Sequence, residues 1–130
     1  MPIRSDARRY WRLRKPCMDR DRGHLLDILA SARKIGTYVA GVSREEFLSN
    51  TQLQDSVIRR LEIIGEAAGR VSTTFREANP EIRWAEIRGM RNRMIHRYDD
   101  VDMEIVWDTV VRDIPYLARI LESLVPPESG

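Results

Sequence analysis

One cysteine, two histidines and two phenylalanines in 130 residues remove several function classes at the outset. Cys17 alone cannot close an internal disulfide, so the fold must hold without covalent staples. His24 and His96 lie far apart, and neither paired-cysteine nor H-E-x-x-H spacing occurs, which leaves metal chemistry little to build on. No metal or cofactor is expected. No apolar run approaches the roughly 20 residues that cross a bilayer. The arginines near the start lead into no apolar stretch of a secretory signal, so a cytoplasmic protein is expected. There is no P-loop and no Gly-Ser followed by D-x-D, so the chain is not expected to transfer nucleotides itself.

What charge there is divides unevenly. Residues 1–17 hold six basic side chains against Asp6, a balance of +5, which leaves −3 on the other 113 residues. The pI of about 9.0 therefore belongs to the start of the chain, and a nucleic-acid site on the body has to be a local patch. Residues 1–17 contain Pro2 and Pro16, lack helical periodicity and interleave arginine with Tyr10 and Trp11. An RNA-tethering arm fits that pattern; a flexible extension or an upstream start site fits it more simply. Residues 18–125 are expected to form the folded unit, with 126–130 a frayed end after Pro126-Pro127.

The body reads as helix throughout. From Asp19, the residues Leu25, Leu26, Leu29, Ala32, Ile35 and Val39 recur at helical spacing until Gly41 ends the run. Ser43-Arg44-Glu45-Glu46 is a capping box for a short helix through Phe47, and Asn50-Thr51 resets the chain. A helix over about 52–71 carries Leu53, Val57, Ile58, Leu61, Ile64 and Ala68, and its Gly65 and Gly69 mark a close approach by another helix. Glu62 and Glu66 suit a supporting role at most, because Arg59, Arg60 and Arg70 offer ordinary helix-surface partners. Residues 72–79 make a short amphipathic turn or helix stopped by Asn79-Pro80, helix resumes by Trp84, and Asp99-Asp100 turns the chain. Asp102 caps a last helix with Ile105, Val106, Val110, Ile114, Leu117, Ile120, Leu121 and Leu124 on its apolar side, and Pro115 predicts a kink. No strand-period segment or internal repeat appears. The fold class expected is all-α: an antiparallel bundle of four main helices with one or two short ones.

One stretch stands apart. Arg88 to Tyr98, R-G-M-R-N-R-M-I-H-R-Y, holds four arginines, a histidine and a tyrosine with no carboxylate. At about 100° per residue, Ile87, Met90, Met94, Ile95 and Tyr98 share an apolar arc that Trp84 joins. Arg91 falls inside the arc, while Asn92 and His96 are neighbours at i and i+4 on its flank. An arginine among apolar neighbours requires an anion or a set of hydrogen bonds, since an unpaired buried charge costs several kcal/mol. A structural salt bridge supplies that, and so does a phosphate clamped by the guanidinium with an imidazole nearby to carry protons. Taken singly, each residue has a plainer reading: His96 as a helix-end or surface residue, the arginines as a solvated face, Tyr98 as a boundary aromatic.

Arg91, Asn92, three residues, His96, one residue and Tyr98 together resemble the R-x4-H-x-Y motif of the HepT toxins, a family within the HEPN ribonucleases. The similarity extends from about Met18 to Leu124: 61–68 resemble the family's second long helix, 84–90 the approach to its motif, and 101–115 the helix that follows. The resemblance implies a HEPN-like helical bundle, usually a homodimer whose cleft joins two motif helices. It also implies a metal-independent endoribonuclease toxin of a type VII-like toxin-antitoxin pair. Arg91 and His96 are then catalytic, Asn92 orients substrate or imidazole, and Arg88, Arg93 and Arg97 hold the RNA backbone. Tyr98 stands where the family's tyrosine receives AMP from a cognate MntA-type nucleotidyltransferase antitoxin. The substrate would be tRNA or mRNA. The alternative is a non-catalytic helical module that binds RNA or nucleotide through the same arginines and partners such a transferase.

Overall fold

The computed structural model describes residues 16–89 and 102–125. Every regular element among them is helical, as the sequence periodicity predicts. In chain order they are α1 (Pro16–Val39), α2 (Arg44–Leu48), α3 (Thr51–Arg70), α4 (Thr73–Ala78), α5 (helical over 84–89), α6 (Met103–Asp108), a π-helical segment (Thr109–Asp113) and α7 (Ile114–Leu124). No helix of these is long and apolar enough to cross a membrane.

The helix boundaries follow from local chemistry. Pro16 opens α1 at a position where its missing N–H costs nothing, and Gly41 follows the end of that helix with φ +72°, a left-handed conformation that suits a residue without Cβ. The expected capping box is present: Ser43 Oγ accepts from the Glu46 amide at 3.1 Å, and Glu46 accepts from the Ser43 amide at 3.4 Å. Asn50 caps α3 by accepting from the Leu53 amide at 3.0 Å. Gln54 then reaches back from α3 to the carbonyls of Phe47 and Leu48, at 2.9 and 3.1 Å, closing the α2–α3 corner.

The core is apolar and continuous. Leu25, Ile28 and Ile35 of α1 meet Val57, Leu61 and Ile64 of α3, all fully buried, and α7 packs against α1 through the stripe Ile114, Leu117, Leu121 and Leu124. Asp21, near the start of α1, contacts Ser72, just past the end of α3, so these two helices run antiparallel. Phe47 of α2 stacks obliquely on Trp107 of α6 at 5.2 Å, and Arg44 pairs with Glu104 at 2.7 Å at the same junction.

The last helical segment carries a wide turn before Pro115, and one of its expected apolar positions is exposed. Pro115 removes an N–H and its ring crowds the carbonyl four residues back, and the turn that precedes it is widened into a π segment. In the π segment the Ile114 amide bonds to Thr109 O, five residues earlier. Val106, Val110 and Ile114 are spaced four and four, a drift of about 80° in regular α-helix. The wide turn absorbs part of that drift, and all three stay buried. Ile105, expected on the apolar side, is 56% exposed. It precedes Val106 by one residue and so starts the neighbouring stripe, whose later members Thr109, Arg112 and Tyr116 are polar or exposed.

Candidate active site

The expected site residues Arg91, Asn92, Arg93, His96, Arg97 and Tyr98, and with them Met90, Met94 and Ile95 of the expected apolar arc, lie outside the described residues. The described chain instead fixes the platform from which the motif departs. Trp84 and Ile87, the first two members of the expected apolar arc, are buried, while Arg88 is exposed, as the pattern requires.

A small polar knot holds that platform. Asn79 is fully buried at the end of α4. Its side-chain amide donates to Phe75 O at 3.0 Å, its carbonyl accepts from the Trp84 indole N–H at 3.1 Å, and Trp84 meets Phe75 edge-on at 6.0 Å. An indole can bury its ring only if its N–H finds an acceptor, and Asn79 O supplies one five residues upstream. The start of α5 is thereby pinned to the end of α4. Below it, Asp21 accepts from the Ser72 amide at 2.7 Å and from Ser72 Oγ at 2.5 Å, and Ser72 Oγ in turn accepts from the Phe75 amide at 3.2 Å. One carboxylate from α1 thus holds the cap of α4.

Beside Arg88 lies an open cleft of about 550 Å³ between α3 and α5. Its lining includes Gly65 and Gly69 on one side and Ala85 and Gly89 on the other, with Glu66 and Arg88 at hand. At Gly69 a Cβ would stand 3.8 Å from Arg88 Nε, an ordinary contact with a side chain, so among the described residues the close helix approach expected there is not seen. Glu66 pairs with Arg70 at 2.8 Å, and Glu62 with Arg59 at 3.4 Å, the surface partners expected for them. No carboxylate pairs with Arg88 among the described residues. A second opening of about 600 Å³ shares Ala85 and Arg88 with the first and runs between α4 and α5, past Arg76, Pro80 and Arg83.

Sequence alone offers no sign of Arg76 or Arg83 as site residues, because each falls in a short segment whose spacing marks no special face. Their relation to Arg88 depends on the turn at Asn79-Pro80 folding α4 and α5 side by side. The one signal available in sequence is that both flank that turn.

The family described as "Ribonuclease HepT-like" matches residues 28–124. "Probable ribonuclease HepT" of Thermococcus cleftensis is 40% identical over 101 residues, covering 78% of this chain and 92% of that protein. "Putative RNase MJ1380" of Methanocaldococcus jannaschii is 38% identical over 98 residues, covering 75% and 90% respectively. "Putative RNase TTE0752" of Caldanaerobacter subterraneus subsp. tengcongensis is 35% identical over 111 residues, covering 85% and 99%. No solved structure matches the chain. A family match across three quarters of the sequence, with the motif inside it and relatives aligned over nearly their full length, makes this chain a member of the HepT-like ribonuclease family.

Proposed function

We propose that the protein is a metal-independent endoribonuclease whose working unit is residues 18–125, acting as a homodimer and serving as the toxin of a toxin-antitoxin pair. The observation that carries this reading is family membership over 28–124, a span that contains the whole of Arg91 to Tyr98. Cleaving RNA in this way requires a base for the ribose 2′-hydroxyl, an acid for the departing 5′-oxygen and a cation for the charge on phosphorus. His96, with a reference pKa of about 6.5, exchanges protons near neutrality. Arg91 clamps the phosphate, Asn92 orients the imidazole or substrate, and Arg88, Arg93 and Arg97 hold the flanking strand. A single imidazole cannot serve both faces of one phosphate, and a twofold copy of the motif provides the second group.

Control would act on the same groove. AMP attached to Tyr98 by a nucleotidyltransferase partner places a bulky anion among arginines that otherwise meet RNA, which is both a steric and an electrostatic block. Two experiments test these assignments. His96→Ala and Arg91→Ala should each abolish RNA cleavage and growth arrest with the helical circular dichroism unchanged; cleavage at the unaltered rate by either variant refutes the assignment. Mass spectrometry of the protein co-expressed with the neighbouring transferase should find an added AMP that Tyr98→Phe removes, and an unmodified protein refutes the control mechanism.

A further inference from the structure

The two openings that meet at Arg88 continue into a track with Arg76 and Arg83, to which no role has been given above. Arg88 has no carboxylate partner among the described residues. Arg76 spends one Nη2 donor on Thr73 Oγ1 at 3.2 Å, and its Nε is buried without a partner. Partial burial of a guanidinium with no counter-charge leaves its field poorly screened, so an anion arriving at the open Nη edge is bound more strongly than at a solvated side chain. Arg83 touches Glu86 at 3.5 Å, but those side chains are 79% and 67% exposed, and an ion pair so open is worth next to nothing and yields readily to a phosphate. Glu77 is the carboxylate of this opening outside any ion pair among the described residues, and it repels phosphate from its own side. Three guanidiniums are thus left along one path, and Arg88, where the path ends, precedes Arg91 by three residues.

We propose that Arg76, Arg83 and Arg88 bind the phosphate backbone of the RNA strand flanking the cleaved bond, extending the substrate site across α4 away from the motif. This rests on the ribonuclease reading given above. Arginine forks suit successive phosphates, and contacts of this kind carry affinity without base preference. The track therefore favours longer strands over short ones at equal sequence.

The test is binding of 2′-O-methyl RNA, which cannot be cleaved by 2′-hydroxyl attack, followed by fluorescence anisotropy between 50 and 200 mM salt. The double variant Arg76→Ala/Arg83→Ala should bind a twelve-nucleotide strand roughly tenfold more weakly at low salt. The slope of log K against log salt should fall by about 1.4, since each phosphate of a single strand that an arginine neutralises adds about 0.7 to it. Arg83→Ala alone, at a largely exposed side chain, should lower the slope by about half as much, and it guards against a folding artefact at Arg76. The gain in affinity from a four- to a twelve-nucleotide strand should shrink in the double variant. Unchanged slope and affinity in a folded double variant overturn the proposal, as does equal competition by polyglutamate of matched charge, which would assign the track to an acidic polypeptide. Because no cleavage is involved, a catalytically normal His96→Ala variant would refute the active-site assignment while leaving this result to be judged separately.

Discussion

Asp21→Ala is the most informative single change for the frame that carries the site. Its carboxylate is 2% exposed and receives two hydrogen bonds from one residue 51 positions away, the Ser72 amide at 2.7 Å and Ser72 Oγ at 2.5 Å. Hydrogen bonds to a charged acceptor contribute about 1.5–3 kcal/mol each, and alanine leaves the amide without its acceptor. Some loss is offset because Ser72 Oγ still accepts from the Phe75 amide. The expected destabilisation is about 3 kcal/mol, a large share of the roughly 5–15 kcal/mol that holds a domain together. For a chain of this length that lowers Tm by roughly 10 °C. Asp21→Asn retains an oxygen for the amide and should lose about half as much. Urea unfolding of Asp21→Ala, Ser72→Ala and the double variant isolates the bond between the Ser72 hydroxyl and the carboxylate, since the Ser72 amide survives the serine substitution, and the cycle should give about 1–2 kcal/mol of coupling. Additivity within about 0.5 kcal/mol would show that the hydroxyl and the carboxylate do not act together, and a loss well under about 1 kcal/mol in Asp21→Ala would refute the reasoning for the pair as a whole.

Other outcomes follow from the same contacts. Trp84→Phe keeps most of the ring but strips Asn79 O of its indole donor, so it should cost about 1 kcal/mol or somewhat more in urea unfolding. Gly69→Ala places a methyl in ordinary contact 3.8 Å from Arg88 Nε and should raise stability by about 0.5–1 kcal/mol through the unfolded state; a loss would mean that α3 and α5 approach more closely than described. Ser43→Ala removes the α2 capping box and should cost about 1 kcal/mol, read as a lower urea midpoint at unchanged m.

Local chemistry was legible in the sequence and distant pairing was not. Ser43, Asn50, Asp102 and Gly41 mark helix ends because caps act over two or three residues, and each is found in that role or conformation. The apolar stripes of α1, α3 and α7 follow from period alone. Pro115 announces a disruption, but the π segment that precedes it, with Val110 and Ile114 both in the core, is not written in local spacing. The exposure of Ile105 escapes a reading by residue type because a flank position looks apolar until its neighbours are known. Asp21 and Ser72 are 51 residues apart, and nothing near either predicts the other. At the site, the motif was read by resemblance, whereas the track of Arg76, Arg83 and Arg88 emerges only when α4 and α5 lie side by side.

End-group analysis of RNA incubated with the purified protein in excess chelator puts the proposed chemistry to the test. Cleavage should proceed and leave 2′,3′-cyclic phosphate at the new ends, since the ribose hydroxyl itself attacks, and a strand carrying 2′-deoxyribose at the cut position should resist. Intact RNA under these conditions, or products ending in 5′-phosphate that require metal to form, would contradict it.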